Sequence, residues 1–434
     1  MAQTTTAPPR QPLHHETDPF AERPGSDRGR IVFTAAVGLI AVHVIDDSFL
    51  QPQPGTSAGD HLFSGLIPLA ILAVAVWAYP RVRAGARAAM ALSLVVPAVL
   101  SGAEAIYYGG KTGLSGDDYT GLLALAAAPV LLVLGVWTLW TSRRVGDRLA
   151  RRYGRRLLKA AAVLVAAPLV LVPLSISYVG SHVSRAEVPE AELGAAYEDV
   201  TLETSDGLEL EGWYVPSRNR AAVIVFPGRT GAQKQARMLV RNGYGVLLYD
   251  RRGEGHSEGD PNSFGWDFDK DIRAGIDFLA QRADVDPGRI GGLGLSVGGE
   301  MMLQTASQTD RLAAVVSEGA GARSLGEELD DVSGFAKLPT ALTYGVRDLA
   351  NSVFQDRLPP RNLMDLVPKI APQPVFLIHA GDDDAGHRNP DYFRAAKEPK
   401  QIWEAEGGHT DGIDEQPEEY ERRVVAFFDG ALPR

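Results

Sequence analysis

The sequence predicts a chain in two halves: an α-helical membrane bundle of five spans, followed by an α/β domain with a mostly parallel sheet flanked by helices. Three observations carry this. Five apolar stretches, each long enough at roughly 20 residues to cross a bilayer, follow one another with no strand pattern between them. Beyond residue 195, short Val/Ile/Leu-rich runs alternate with helical stretches, the rhythm of βαβ units. Gly294-Leu-Ser-Val-Gly298 stands where one such run ends and an apolar helix begins, so Ser296 reads as a nucleophile on a strand-to-helix elbow.

In chain order, residues 1–30 form a polar, Pro-rich tail expected to be disordered, and residues 31–182 hold the spans, at about 31–50, 62–79, 87–108, 121–140 and 157–179. The first span follows a polar tail and precedes four more, which makes it an anchor and not a cleaved signal peptide. Positive charge sits in alternate loops. Arg10, Arg23, Arg28 and Arg30 precede span one; Arg81, Arg83 and Arg87 follow span two; eight basic residues from Arg143 to Lys159 follow span four. The intervening loops hold only Lys111, so the N-terminus is expected in the cytoplasm and, after five spans, the second half outside it.

Ionisable residues collect toward the outer ends of the spans: His43, Asp46 and Asp47 late in span one, His61 at the start of span two, Glu104 late in span three, with Asp117 and Asp118 before span four. Such groups at membrane depth suggest a metal, proton or lipid-headgroup site, and equally suit hydrated span ends and caps. No metal ligand set is assigned.

Residues 183–196 read as a linker to a domain over 197–434. Tyr197 to Trp213 alternates around Asp206-Gly207, a β-hairpin. Ala221 to Phe226, Gly245 to Asp250, Arg289 to Leu293, Ala313 to Ser317 and Pro374 to Ala380 are apolar runs of the buried parallel kind. Helical stretches are expected at Gln233–Asn242, Asp269–Arg282, Gly299–Gln308 and Pro417–Leu432, with a short helical cap at about 322–365.

Several ordered motifs now stand together: Pro227-Gly-Arg-Thr-Gly231, Tyr249 to Gly259, Val285-Asp-Pro-Gly-Arg-Ile290, Gly294 to Gly299, Pro374 to Asp383 and Gly407-Gly-His409. On these, residues from about 195 to 434 resemble the α/β-hydrolase superfamily, nearest to its serine aminopeptidase-like and dienelactone hydrolase-like members. Pro227 departs from the His that relatives often carry there. The resemblance implies the order Ser, acid, His. Only His379, His387 and His409 follow Ser296; His379 lies inside an apolar strand and His387 beside an Asp cluster, which leaves His409, on a Gly-Gly loop after the last strand, as the base. Counting along the family's strand-His-x-x-x-Asp pattern from His379 gives Asp383 as the acid, with Asp382, Asp384 and Glu318 as alternatives. The three adjacent aspartates also suit a solvated loop or an oxygen-ligand cation site. The resemblance places the oxyanion donors on the backbone N–H groups of Arg229 and Val297. The Arg229 side chain suits either a substrate carboxylate or phosphate, or a solvated loop.

The net charge of −11 argues against nucleic acid as a partner, and the absence of cysteine excludes disulfides and thiol chemistry. The expectation is therefore a membrane-anchored serine hydrolase needing no cofactor, acting on a small-molecule, lipid or peptide substrate with an ester, thioester or peptide bond. The alternative is a non-catalytic, ligand-binding hydrolase-like domain coupled to the bundle.

Overall fold

The computed structural model describes residues 25–114, 116–141, 154, 167–183, 185, 187–381 and 388–433. Its first half is helical: α1 (Gly25–Ile45), continued by a π-helical turn (Asp46–Leu50), α2 (Leu62–Ala78), α3 (Ala84–Ser93), α4 (Val95–Thr112), α5 (Asp118–Thr141) and α6 (Ala167–Ser181). Asp27–Leu50, Leu62–Arg81, Ala84–Lys111 and Asp118–Thr141 are long and apolar enough to cross a membrane. Of the expected fifth span, 157–166 lies outside the described residues and the remainder belongs to the shorter apolar helix α6. The basic residues from Arg143 to Lys159 also lie outside them.

The bundle is built small side chains inward. Ala36, Ala91, Ala98, Ala127 and Ala128 are buried together with Phe33 and Leu131. A Cβ on Gly121 would come within 3.1 Å of the Ser101 carbonyl oxygen, so α4 and α5 meet nearly backbone to backbone. Val133, Trp137 and Trp140 of α5 point outward and are exposed. Small residues at helix contacts and large apolar ones outside is the arrangement lipid favours, because packing rather than water exclusion holds such helices together.

The second half is one eight-stranded sheet in the order β1-β2-β4-β3-β5-β6-β7-β8. β1 (Glu198–Glu203) and β2 (Glu209–Val215) form the expected hairpin, turned at Gly207 with φ of 83°, and β2 pairs antiparallel to β4 (Gly245–Tyr249). β3 (Ala222–Phe226), β4, β5 (Ile290–Leu295), β6 (Ala314–Glu318), β7 (Val375–Ala380) and β8 (Lys400–Ala405) run parallel. The apolar runs have a simple cause. Ala222, Ile224 and Phe226 join the core on one face while Val223 and Val225 join the core on the other, so every side chain of β3 is buried. α9 (Phe268–Ala280) and α10 (Val297–Ala306) cover the first face; α8 (Gln233–Arg241) and α16 (Pro417–Ala431) cover the second, and a short α7 (Gly228–Gly231) follows β3.

Between β6 and β7 lie α11 (Leu325–Asp330), a 3-10 turn (Gly334–Ala336), α12 (Lys337–Phe354) and α13 (Leu363–Leu366). Ser324 and Glu327 start α11 with a reciprocal capping box. α12 packs against α2 of the helical half. Just past its end the Asp356 carboxylate accepts the backbone N–H of Phe63 at 2.5 Å and of Ser64 at 2.9 Å. α14 (Asn389–Ala395) precedes β8, and α15 (Gly412–Glu415) precedes α16.

Candidate active site

The chain order of strands turns back on itself between β4-β3 and β5-β6, and in parallel sheets the carboxyl ends beside such a reversal are where ligands bind. Ser296 stands there, between β5 and α10, with φ of 53° and ψ of −125°. This positive φ is costly for a residue with a side chain and survives only because its surroundings fix it. The Ser296 N–H donates to the Glu318 carbonyl at 2.8 Å, and its own carbonyl receives the N–H of Gly299 at 2.8 Å. The glycines beside it are required by space. A Cβ on Gly294 would meet the Gly298 carbonyl oxygen at 2.3 Å, and one on Gly298 the Phe226 carbonyl oxygen at 2.7 Å. The start of α10 is thereby pressed against the end of β3.

His409 comes from the loop after β8. Its Nε2 lies 2.8 Å from Ser296 Oγ, across 113 residues of sequence. The loop turns at Gly407, φ 99°, and the imidazole rests against Gly319, where a Cβ would stand 2.9 Å from Cε1. Asp382, Asp383, Asp384 and His387 lie outside the described residues. Glu318, at the end of β6, is buried; its Oε2 accepts the Tyr420 hydroxyl at 2.6 Å, and burial pushes its pKa up to about 7.

Val297 opens α10 and Arg229 is the second residue of α7, which follows the neighbouring strand β3. The Arg229 side chain is not solvated. It is buried, ion-paired to buried Asp250 at the end of β4, and lies 4.8 Å over the Trp213 ring. The loop from Arg251 to Gly259 is held from below by Arg252, whose Nε donates to buried Asp271 at 2.7 Å and Nη1 to Asp206 at 2.9 Å. That pairing holds the Asp206 carboxyl well below its ordinary range despite its partial burial. Glu300, in the first turn of α10, takes the Gly321 N–H at 3.2 Å, and burial pushes its pKa up to about 7.

Of the polar residues singled out in the helical half, His43, Asp46, Glu104 and His61 fall into three groups. His43 Nδ1 and Asp46 Oδ2 meet at the Thr120 hydroxyl, at 3.3 and 2.8 Å. Glu104 accepts the Tyr178 hydroxyl of α6 at 2.9 Å. His61 Nε2 stands 3.0 Å from Thr56 Oγ1 and 3.6 Å from Asp260 of the sheet half. His43, Asp47, His61 and Glu104 line one cavity, which Asp46 does not reach. Among the described residues no three His, Asp or Glu side chains gather as metal ligands would. Sequence reasoning passed over Tyr178 and His182, whose rings stack at 4.0 Å and meet Phe354 of α12 edge-on; the lone signal was a Tyr and a His four apart where an apolar run ends.

Residues 195–362 match the X-Pro dipeptidyl-peptidase (S15 family). The uncharacterized protein YfhR of Escherichia coli (strain K12) is 26% identical over 249 residues, 54% of this chain and 81% of that protein. The uncharacterized protein Rv2307c of Mycobacterium tuberculosis is 36% identical over 141 residues, 31% of this chain and 50% of that one. Among solved structures, an esterase of Pyrococcus furiosus, Pf2001, is similar over 58% of this chain and 98% of its own, at 24% identity and a TM-score of 0.47. The second half of the chain has the sheet order and strand-to-helix serine turn of the α/β-hydrolase fold and is similar over residues 195–362 to the X-Pro dipeptidyl-peptidase family, and among the described residues four candidate membrane helices precede it.

Proposed function

We propose that this α/β hydrolase is a membrane-anchored enzyme that cleaves an ester, thioester or peptide bond outside the cytoplasm, with Ser296 as nucleophile, His409 as base and Asp383 as the acid that orients His409. One observation carries the reading: 2.8 Å from Ser296 Oγ to His409 Nε2, at a serine held with positive φ. His409 Nε2 takes the hydroxyl proton as Oγ attacks the acyl carbon, and the imidazolium then gives that proton to the leaving group. Water, activated by the same imidazole, frees the acyl group and restores the serine. The backbone N–H groups of Val297 and Arg229 stabilise the oxyanion. The similarity to the X-Pro dipeptidyl-peptidase family supports acyl-bond hydrolysis and leaves ester, thioester and peptide substrates open.

The membrane placement rests on the alternation of basic loops around five spans, which keeps the N-terminus inside and puts the hydrolase outside. One experiment tests chemistry and side together. A membrane-impermeant fluorophosphonate is applied to intact spheroplasts expressing wild type, Ser296→Ala or His409→Ala. Wild type is expected to be labelled and both variants not. Labelling only after lysis would move the domain to the cytoplasm, and none in folded wild type under either condition would favour a non-catalytic binding domain.

A further inference from the structure

A half-open cavity of about 1460 Å³ lies between the two halves. Its walls come from α2, α4 and α6 of the bundle and from α12 of the hydrolase, and neither Ser296 nor His409 lines it. It is larger than the 300–1,000 Å³ or so of ordinary small-molecule sites. It is also two-faced. Ile67, Ile71, Leu100, Leu174, Leu349 and Val353 make an apolar wall, while Asp47, Glu104, Asp117 and Asp260 stand among its polar residues. Arg185 also lines it, but its guanidinium is spent on backbone carbonyls, on Ser257 and on Gly259 at 3.1 Å. Lys111, His43, His61 and His182 line it as well, while Asp118 and Glu187 bring the carboxylates to six, so acids outnumber the cationic side chains at the polar end. The 3-10 turn before α12 and α12 itself carry exposed apolar side chains, Phe335, Leu338 and Leu349 each being more than half exposed, and the Asp356 carboxylate ties the end of α12 to the start of α2, where Leu62 and Phe63 are exposed too.

We infer that this cavity binds a membrane amphiphile, its chain along the wall of α2, α4, α6 and α12, and its head group, rich in hydroxyl or ammonium donors and without net negative charge, at the acidic end. The apolar length supplies affinity as buried methylene groups do for any lipid. The carboxyl groups choose the head group by accepting its donors and by disfavouring anions, which offer them none. The inference rests on the membrane placement of the bundle and is independent of the proposed acyl-transfer chemistry, since it uses no residue of that site.

The test uses the full chain in lipid nanodiscs and two photoactivatable amphiphiles with the same diazirine-bearing sixteen-carbon chain. One is a 1-O-alkylglycerol, which has no ester to hydrolyse; the other is the fatty acid. Crosslinks are mapped by mass spectrometry. The alkylglycerol is expected to label peptides carrying Leu349 and Val353, in competition with unlabelled alkylglycerol, and the fatty acid is not. Ala350→Trp, which fills the lumen, and Leu349→Asp, which charges the apolar wall at an exposed side chain, should each abolish that labelling. Ser296→Ala should label as wild type does, so failure of the hydrolase reading leaves this result standing. Crosslinks confined to the outward face of α5 around Val133 and Trp137, labelling that unlabelled alkylglycerol does not compete, or equal labelling by the fatty acid would overturn the inference.

Discussion

The buried carboxyl of Glu318 accepts a 2.6 Å hydrogen bond from the Tyr420 phenol, and a Cβ added at Gly412 would stand 3.0 Å from its other oxygen. Glu318 thus joins the end of β6 to α16 and to the segment just after His409. A carboxyl with these partners and a raised pKa suits a structural link better than the ionised acid that must stabilise an imidazolium. Glu318→Gln, which can still accept from Tyr420, is expected to leave p-nitrophenyl butyrate hydrolysis within about threefold of wild type. Asp383→Asn should lower kcat by about 10²–10⁴-fold, as loss of the orienting acid does in other triads. The reverse ranking of the two variants would reassign the acid to Glu318.

Glu300 and Glu318 both have pKa values pushed up to about 7 by burial, from an ordinary 4.5. In that interval the folded chain binds more protons than the unfolded one. Their contribution to stability is therefore fully present below pH 4.5 and is lost as pH rises through about 7, the opposite sense to a salt-bridged carboxylate. Glu300→Gln removes one such group while keeping an acceptor for Gly321. The unfolding free energy of the variant relative to wild type, from thermal unfolding, should grow in the variant's favour from pH 5 to pH 8, by on the order of 1–3 kcal/mol at the top of the range. A pH-independent difference would mean that Glu300 is ionised throughout and held by Arg323.

What could be read from the chain and what could not divides by sequence separation and by burial. Ser296 declares itself locally, because a glycine-flanked serine after an apolar run needs no distant partner to be noticed. His409 follows from chain order among three histidines, and the fold closes the 113-residue gap to hydrogen-bonding distance. The strands were visible because residues buried on both faces leave uninterrupted apolar runs. Arg229 was not legible. After Pro227-Gly228 an arginine looks like loop, and only the sheet order, which sets β3 beside β4, brings Asp250 to it. Glu104 and Tyr178 are 74 residues apart, on helices whose pairing no local pattern encodes.

The Arg229–Asp250 pair has its own expectation. Both side chains are buried, so removing one charge strands the other in a poor dielectric. Arg229→Met is expected to cost about 3–5 kcal/mol of stability, whereas Arg229→Met with Asp250→Asn should recover much of that, because no unpaired charge remains. Chemical or thermal unfolding of the two variants checks it. Equal losses in single and double variants would show that the stacking of Arg229 on Trp213, not the ion pair, supports the loop after β3.

The end of α6 reaches the elbow in two contacts. The Gly180 carbonyl accepts the Ser263 N–H at 2.9 Å, and a Cβ on Gly180 would stand 2.4 Å from the Phe264 ring; the next residue, Gly265, abuts Val297, whose Cγ2 would lie 2.5 Å from an added Cβ. A branched side chain at 180 must therefore push the 263–265 segment toward the first residue of α10, beside Ser296. Misplacements of about 1 Å near a reacting centre cost about 10²-fold. Gly180→Val is expected to lower kcat/KM for p-nitrophenyl butyrate by about tenfold to a hundredfold and to slow fluorophosphonate labelling in parallel. Gly38→Ala, in α1 with open space around it, should change neither. An unchanged labelling rate in Gly180→Val would mean that the hydrolase half tolerates movement of its membrane contact, and that the bundle anchors the site without shaping it.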